Sequence, residues 1–274
     1  MSELYKIGDF AKQLGVSPGF LKHHEKYGLL KPVVAENSYR FYEYNQGMLV
    51  FQCLKLQKLG FGSKEIADIL LESDNFELLS ALRQKKSELE KKLLYYDCVQ
   101  EYLNQMINNL ESCEQQDSWK IDYADPYYYM ENSIIGGFDN NPKRQEVAER
   151  WNEYMPLIET FSRFAIPAGT DTDVSNVRNW RKGICIPQKI GDSLNIYRNE
   201  TVEIFEKKRC LIYTSNTIRE PKIECFIQLI LGKALDLCQE HHFDVAGDIF
   251  TVQHFCSTAQ EENRVNELVM IPIL

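Results

Sequence analysis

The stretch GFLKHHEKYGLLKP, residues 19–32, sets the adjacent His23 and His24 between Lys22 and Lys26. Imidazoles and ammoniums this close can ligate a metal, pass protons, or present a cationic surface to something acidic. A zinc site takes about three or four ligands, and neighbouring residues on a helix point about 100° apart. His23 and His24 therefore cannot share one metal or act as a dyad without unwinding the helix, which leaves a cationic surface or, as the alternative, a His24 packed against the wing beside a solvated His23. A second chemical group lies near the other end. Glu267 opens the run ELVMIPIL, whose later positions are apolar on both faces of a strand. Its carboxyl is expected to be buried and to need a partner; the alternative is an exposed glutamate at a strand end. Between the two lie aromatics that would wall a ligand pocket or fill a core. They are Tyr127, Tyr129, Trp151, Tyr154 and Trp180, with Tyr213, Phe226 and Phe255 further on.

The elements that must position the histidines are legible from spacing. YKIGDFAKQLG places Ile7, Phe10, Ala11 and Leu14 on one helical face, stopped by Gly15. Ser17 is a good N-cap and Pro18 suits the first helical position, so a second helix starts there and ends at Gly28. Two short helices joined by a tight turn form a helix-turn-helix. On the second helix Phe20, Leu21, His24 and Tyr27 lie towards one side, Gly19, Lys22, His23 and Lys26 towards the other. That second side is small, basic and polar, as a face entering a DNA major groove should be. KPVVAENSYRFYEY, with Asn37-Ser38 between two extended runs, predicts a β-hairpin, a wing. Tyr39, Arg40 and Tyr42 would there bond phosphates. Two further helices contribute core positions that include Leu49, Leu54, Ile66 and Leu70.

With 274 residues and 44% hydrophobic content, the chain can bury two cores. MSELYKIGDF carries no basic segment followed by an apolar one, and no 18 apolar residues run together, so a cytoplasmic protein with no membrane partner is expected. Eight cysteines without a CxxC pair read as reduced, mostly buried thiols, and no cofactor is expected. A net charge of −9 counts against nucleic acid for the chain as a whole. The acidity is local, however: residues 1–75 hold nine Lys+Arg against nine Asp+Glu, residues 117–274 seventeen against twenty-four.

From Leu78 to Cys113 there is no Pro or Gly, and Leu82, Leu89, Tyr96, Leu103 and Leu110 recur every seven residues, with Leu79, Leu93, Val99, Met106 and Ile107 between them. This predicts one long helix over 76–116 that carries a coiled-coil seam; the alternative is a helix packed on its own domain. Residues 117–274 show a weak repeat of strand, helix and two strands. The first copy runs from WKIDYADPYYYMENSI through a helix around 143–164, which Pro156 should kink or break, to RKGICIPQ and SLNIYRN. The second runs from TVEIFEKKRCLIYTSN through a helix around 222–243 to GDIFTVQHFCS and NELVMIPIL. Two such units suit a curved antiparallel sheet with helices on one face, an α+β domain.

YKIGDFAKQLGVSPGFLKHHEKYGLLKP, NSYRFY and LKLQKLGFGSKEIADIL together resemble the N-terminal domain of the MerR family of bacterial transcription regulators. The departure is Lys22-His23-His24-Glu25, where such proteins carry Arg, an aromatic pair and an acid. The resemblance implies a winged helix-turn-helix DNA-binding domain over 1–75 with Ser17, Gly19, Lys22, His23, His24, Lys26, Tyr39, Arg40 and Tyr42 facing DNA. It further implies an antiparallel dimerisation helix and a palindromic promoter operator, distorted on effector binding so that RNA polymerase engages. The repeat and the ELVMIPI ending resemble the GyrI-like effector-binding domain of multidrug-sensing members, here 117–274. That implies a small aromatic or cationic effector held by Glu267 and the aromatics. Two other readings stay open: a small-molecule hydrolase using Glu267 or Tyr213, and a thiol or metal sensor using Cys113.

Overall fold

The computed structural model describes residues 3–35, 38–113, 118–134, 137–166, 178–218, 223–257 and 264–274. Asn37 of the expected hairpin lies outside them, as do the side chains of Leu110, Cys113, Phe226 and Phe255. The chain divides into two compact units, residues 1–93 and 94–274.

The first unit opens with β1 (Leu4–Lys6), α1 (Ile7–Leu14) and α2 (Pro18–Lys26). Gly15 closes α1 at φ 68°, a left-handed conformation that glycine adopts at no steric cost. Then come β2 (Val33–Val34), β3 (Arg40–Glu43), α3 (Gln46–Lys58) and α4 (Ser63–Leu71). β3 pairs antiparallel with both β1 and β2, which makes the wing a small sheet. Phe10, Leu21, Leu30, Tyr42 and Val50 form its core, and Leu29, Cys53, Phe61 and Ile66 a second cluster beneath α3 and α4.

Helix α5 (Asn75–Cys113) runs 39 residues. Leu89, Leu93, Tyr96, Leu103 and Ile107 are exposed along it. Val99, expected in that seam, instead packs with Tyr95, Cys98 and Tyr102 against the core of the second unit. The C-terminal half of the helix thus has two apolar faces, one of which packs on the core of the second unit.

The second unit contains β4 (Trp119–Ala124), β5 (Tyr127–Ile134), β6 (Gly137–Phe138), α6 (Pro142–Asn152), β7 (Glu159–Ala165), β8 (Arg178–Pro187), α7 (Gln188–Ser193), β9 (Glu203–Phe205), β10 (Lys208–Ile218), α8 (Ile223–Glu240), β11 (Ile249–Ser257) and β12 (Arg264–Pro272). Its sheet order is β4-β10-β12-β11-β7-β8-β5-β6, with β9 on β5. The repeat is therefore β5-α6-β7-β8 and β10-α8-β11-β12, related by an approximate two-fold between β11 and β7. Two expectations need correction. The helix predicted over 143–164 ends at Asn152, and after a turn through Pro156 the chain enters the central strand β7. SLNIYRN is not a strand but the end of α7 and a turn. Helix α8 packs on β10 and β12, and α6 on β5. The opposite face buries Tyr127, Tyr129, Phe161, Phe205 and Phe250.

Candidate functional site

In the first unit the Ser17 hydroxyl accepts from the Phe20 N–H at 3.1 Å, so this side chain caps α2. Gly19 stands in the first turn, where an added Cβ would meet only Ser17 Oγ, at 3.6 Å. Lys22, His23 and Lys26 are exposed, and His23 Nε2 is 2.7 Å from Ser63 Oγ at the start of α4. His24, grouped with them for DNA contact, is buried beside Phe20. Burial first, and then the charge of His23, lowers its pKa.

On the wing, Tyr39 is exposed and Arg40 half-exposed. The Arg40 Nε–H donates to Glu25 Oε2 at 3.1 Å. Tyr42, expected to reach phosphate, is instead fully buried, stacked on Phe10 at 5.0 Å between ring centroids, and its hydroxyl donates to Glu25. Burial and then Glu25 push its pKa up. Glu25, on α2, thus anchors two residues of β3 and sets the wing against α2. The available signal was a lone acid on a basic helix followed by an Arg-x-Tyr strand.

In the second unit the sheet register assembles a polar strip. Glu267 on β12 pairs with Ser215 on one side and Gln253 on the other, and Gln253 pairs with Thr160. Two positions along, Thr251 pairs with Ser162, and Ser162 with Lys182 on β8. Directly opposed residues share a face, so all seven lie on the face that carries α6 and α8, in and beside the central β11–β7 pair. Glu267 and Lys182 each stand five residues before the proline that closes their strand. Acid and base therefore occupy equivalent positions in the two repeats, facing each other across the two-fold. Glu267 is 3% exposed. Burial pushes its carboxyl up to about 7, while the Lys182 charge, the Thr251 hydroxyl and His254 pull the other way.

Of the expected aromatics, Trp180 and Tyr213 share this face and its core. Trp180 stacks on Phe164 with centroids 6.1 Å apart, and Lys182 Nζ sits 4.5 Å above the indole. Tyr127 and Tyr129 are turned to the opposite face, so the structure separates them from Glu267. Trp151 and Tyr154 pack under α6, where the Trp151 N–H donates to the Tyr197 carbonyl at 2.7 Å. Lys182 and His254 were missed. The signal for Lys182 was its place in the repeat, matching that of Glu267. His254 is the extra residue of a β-bulge, which re-aims a side chain. Its Nδ1 is 3.1 Å from Glu159 Oε1, and the Tyr102 hydroxyl of α5 also bonds Glu159.

Glu267 Oε2, Ser215 Oγ, Trp180 Nε1 and His254 Nε2 are buried without a hydrogen-bond partner among the described residues. Buried polar atoms are ordinarily paired, so these four, in and beside the strip, are candidates to bond a ligand or water. No group of three or more metal-ligating side chains occurs among the described residues, and no described helix is long and apolar enough to cross a membrane.

Residues 5–73 match the family model described as MerR HTH family regulatory protein; this segment is a MerR-type helix-turn-helix domain. The chain is 29% identical over 151 residues to the multidrug-efflux transporter 2 regulator of Bacillus subtilis, a match covering 54% of either protein. It is 28% identical over 180 residues to the HTH-type transcriptional regulator SkgA of Caulobacter vibrioides, covering 65% of this chain and 62% of that one. The chain thus spans only 54% and 62% of the length of these curated relatives. The solved N-terminus of the Bacillus subtilis multidrug transporter activator is similar at 26% identity and a TM-score of 0.30, covering 41% of this chain and 99% of that one.

Proposed function

We propose that this chain, with its MerR-type DNA-binding domain, is a ligand-responsive transcription regulator. Residues 1–75 bind promoter DNA, 76–116 form a homodimer, and 117–274 hold a small aromatic effector. The observation that carries the reading is the pairing, in one chain, of an exposed basic face on α2 beside a wing with a separate unit whose central strip holds unpartnered buried polar groups. The relatives' names, both of regulators, support a non-enzymatic role. As a dimer the protein binds a palindrome, and the effector-bound form distorts the DNA so that RNA polymerase engages the promoter.

DNA binding is tested on the wing. Arg40→Ala is expected to weaken operator and unrelated duplexes alike and to reduce the slope of log affinity against log salt by about one, the loss of one phosphate contact. Lys22→Ala is expected also to narrow the gap between operator and unrelated DNA. Unchanged affinity and slope in fluorescence anisotropy with Arg40→Ala would remove the wing from the interface. The homodimer is tested on α5, where Leu103 is 49% exposed in the single chain. Leu103→Glu places a charge in the seam and is expected to weaken dimerisation tenfold or more by sedimentation; a dimer of wild-type strength would move the interface elsewhere.

A further inference from the structure

The polar strip carries a cation of its own. Lys182 Nζ lies 4.5 Å from the centroid of the Trp180 indole, itself backed by Phe164. That is the place a cationic ligand would take in an aromatic site. Lys182 also faces Glu267 across the two-fold from the matching strand position, with Ser162 and Thr251 between them. An incoming permanent cation would therefore have to displace the ammonium from the ring and meet its repulsion, at an acid on which the Lys182 charge already acts. The unpartnered groups favour a different ligand. Trp180 Nε1–H can only donate, and Ser215 Oγ, 1% exposed as a residue, can donate as well. The indole needs an acceptor oxygen or nitrogen, and the hydroxyl can use one.

We propose that Lys182 determines the specificity of this site: it is a built-in counter-cation, and the site takes a neutral, hydrogen-bond-accepting aromatic molecule in preference to a permanent lipophilic cation. The inference rests on the reading of this strip as the effector seat. It reverses the preference that an aromatic pocket holding a buried acid would have without the lysine, because specificity is set by the repulsive element as much as by the attractive one.

The test uses two probes of similar shape, tetraphenylphosphonium and triphenylphosphine oxide, titrated calorimetrically into the full chain. The wild type is expected to bind the oxide at least tenfold more tightly than the cation. Lys182→Met keeps an apolar stem and removes the charge; it is expected to raise cation affinity at least tenfold and to reverse the order. Lys182→Arg restores a cation and is expected to keep the wild-type order. Adding Glu267→Gln to Lys182→Met is expected to abolish the gain for the cation. A wild type that prefers the cation, or a cation-to-oxide ratio unchanged in Lys182→Met while both probes bind, overturns the role of Lys182. Binding of neither probe to wild type, Lys182→Met or Lys182→Arg overturns the effector seat itself.

Discussion

Replacing Glu267 by Gln is expected to stabilise the second unit by about 3 kcal/mol at pH 8 and by only about 1 kcal/mol at pH 5. In the unfolded chain this carboxyl titrates near 4.5, and in the fold burial holds it at about 7 in spite of Lys182, Thr251 and His254. Between those values the folded protein keeps a proton that the unfolded chain has released. The stability due to the protonated form is thus complete below pH 4.5 and is lost as pH rises through 7. Glutamine imitates the protonated carboxyl at every pH, so the two proteins converge in acid and separate in base. Trp119, Trp151 and Trp180 are the only tryptophans and all belong to residues 94–274, so urea unfolding followed by tryptophan fluorescence reports this unit alone. Stability curves that stay parallel from pH 5 to pH 8 would show that Glu267 is solvated in the fold.

Gly183→Ala is expected to cost more than about 3 kcal/mol and to lower the thermal midpoint of the same unit by about 10 °C. Gly183 follows Lys182 in β8, where β5 presses against it. A Cβ there would stand 2.0 Å from the Met130 carbonyl oxygen and 2.7 Å from Phe161 Cε1. A flexible side chain could move aside. A strand carbonyl cannot yield without breaking the β5–β8 pairing, which already shifts register between Glu131 and Ser133. Gly247→Ala, whose Cβ meets nothing within 4 Å, is the control and should fall within about 0.5 kcal/mol of wild type. A midpoint for Gly183→Ala within 1 °C of that control would mean that β8 has room the structure does not show.

Where sequence spacing failed, the reason is physical. Val147, Trp151, Tyr154, Ile158 and Phe161 fall at helical intervals, yet the last two lie beyond a turn at Pro156, and Phe161 is in β7. A central strand buried on both faces, with Phe161 turned to one core and Phe164 to the other, has no two-residue alternation to betray it. Tyr42 was misplaced for a related reason. Its hydroxyl looks like a phosphate ligand in a polar hairpin until Glu25, seventeen residues earlier, takes it inside.

Ser17 capping α2, Gly15 ending α1, the exposed Lys22 and Lys26, the leucine stripe of α5 and the two-fold repeat of the second unit were all determined by the sequence alone. These features are written in residues a few positions apart, where helix period, capping and turn chemistry act locally. Which aromatics would stand with Glu267 was decided only by the tertiary structure. Strand register turned Tyr127 and Tyr129 to the far face and kept Trp180 and Tyr213 on the near one. It also brought Lys182 opposite an acid 85 residues away in the chain. A slip of one residue in any of β7, β8, β11 or β12 would turn that strand's side chains to the other face; the charge partner of Glu267 is therefore a property of the assembled sheet.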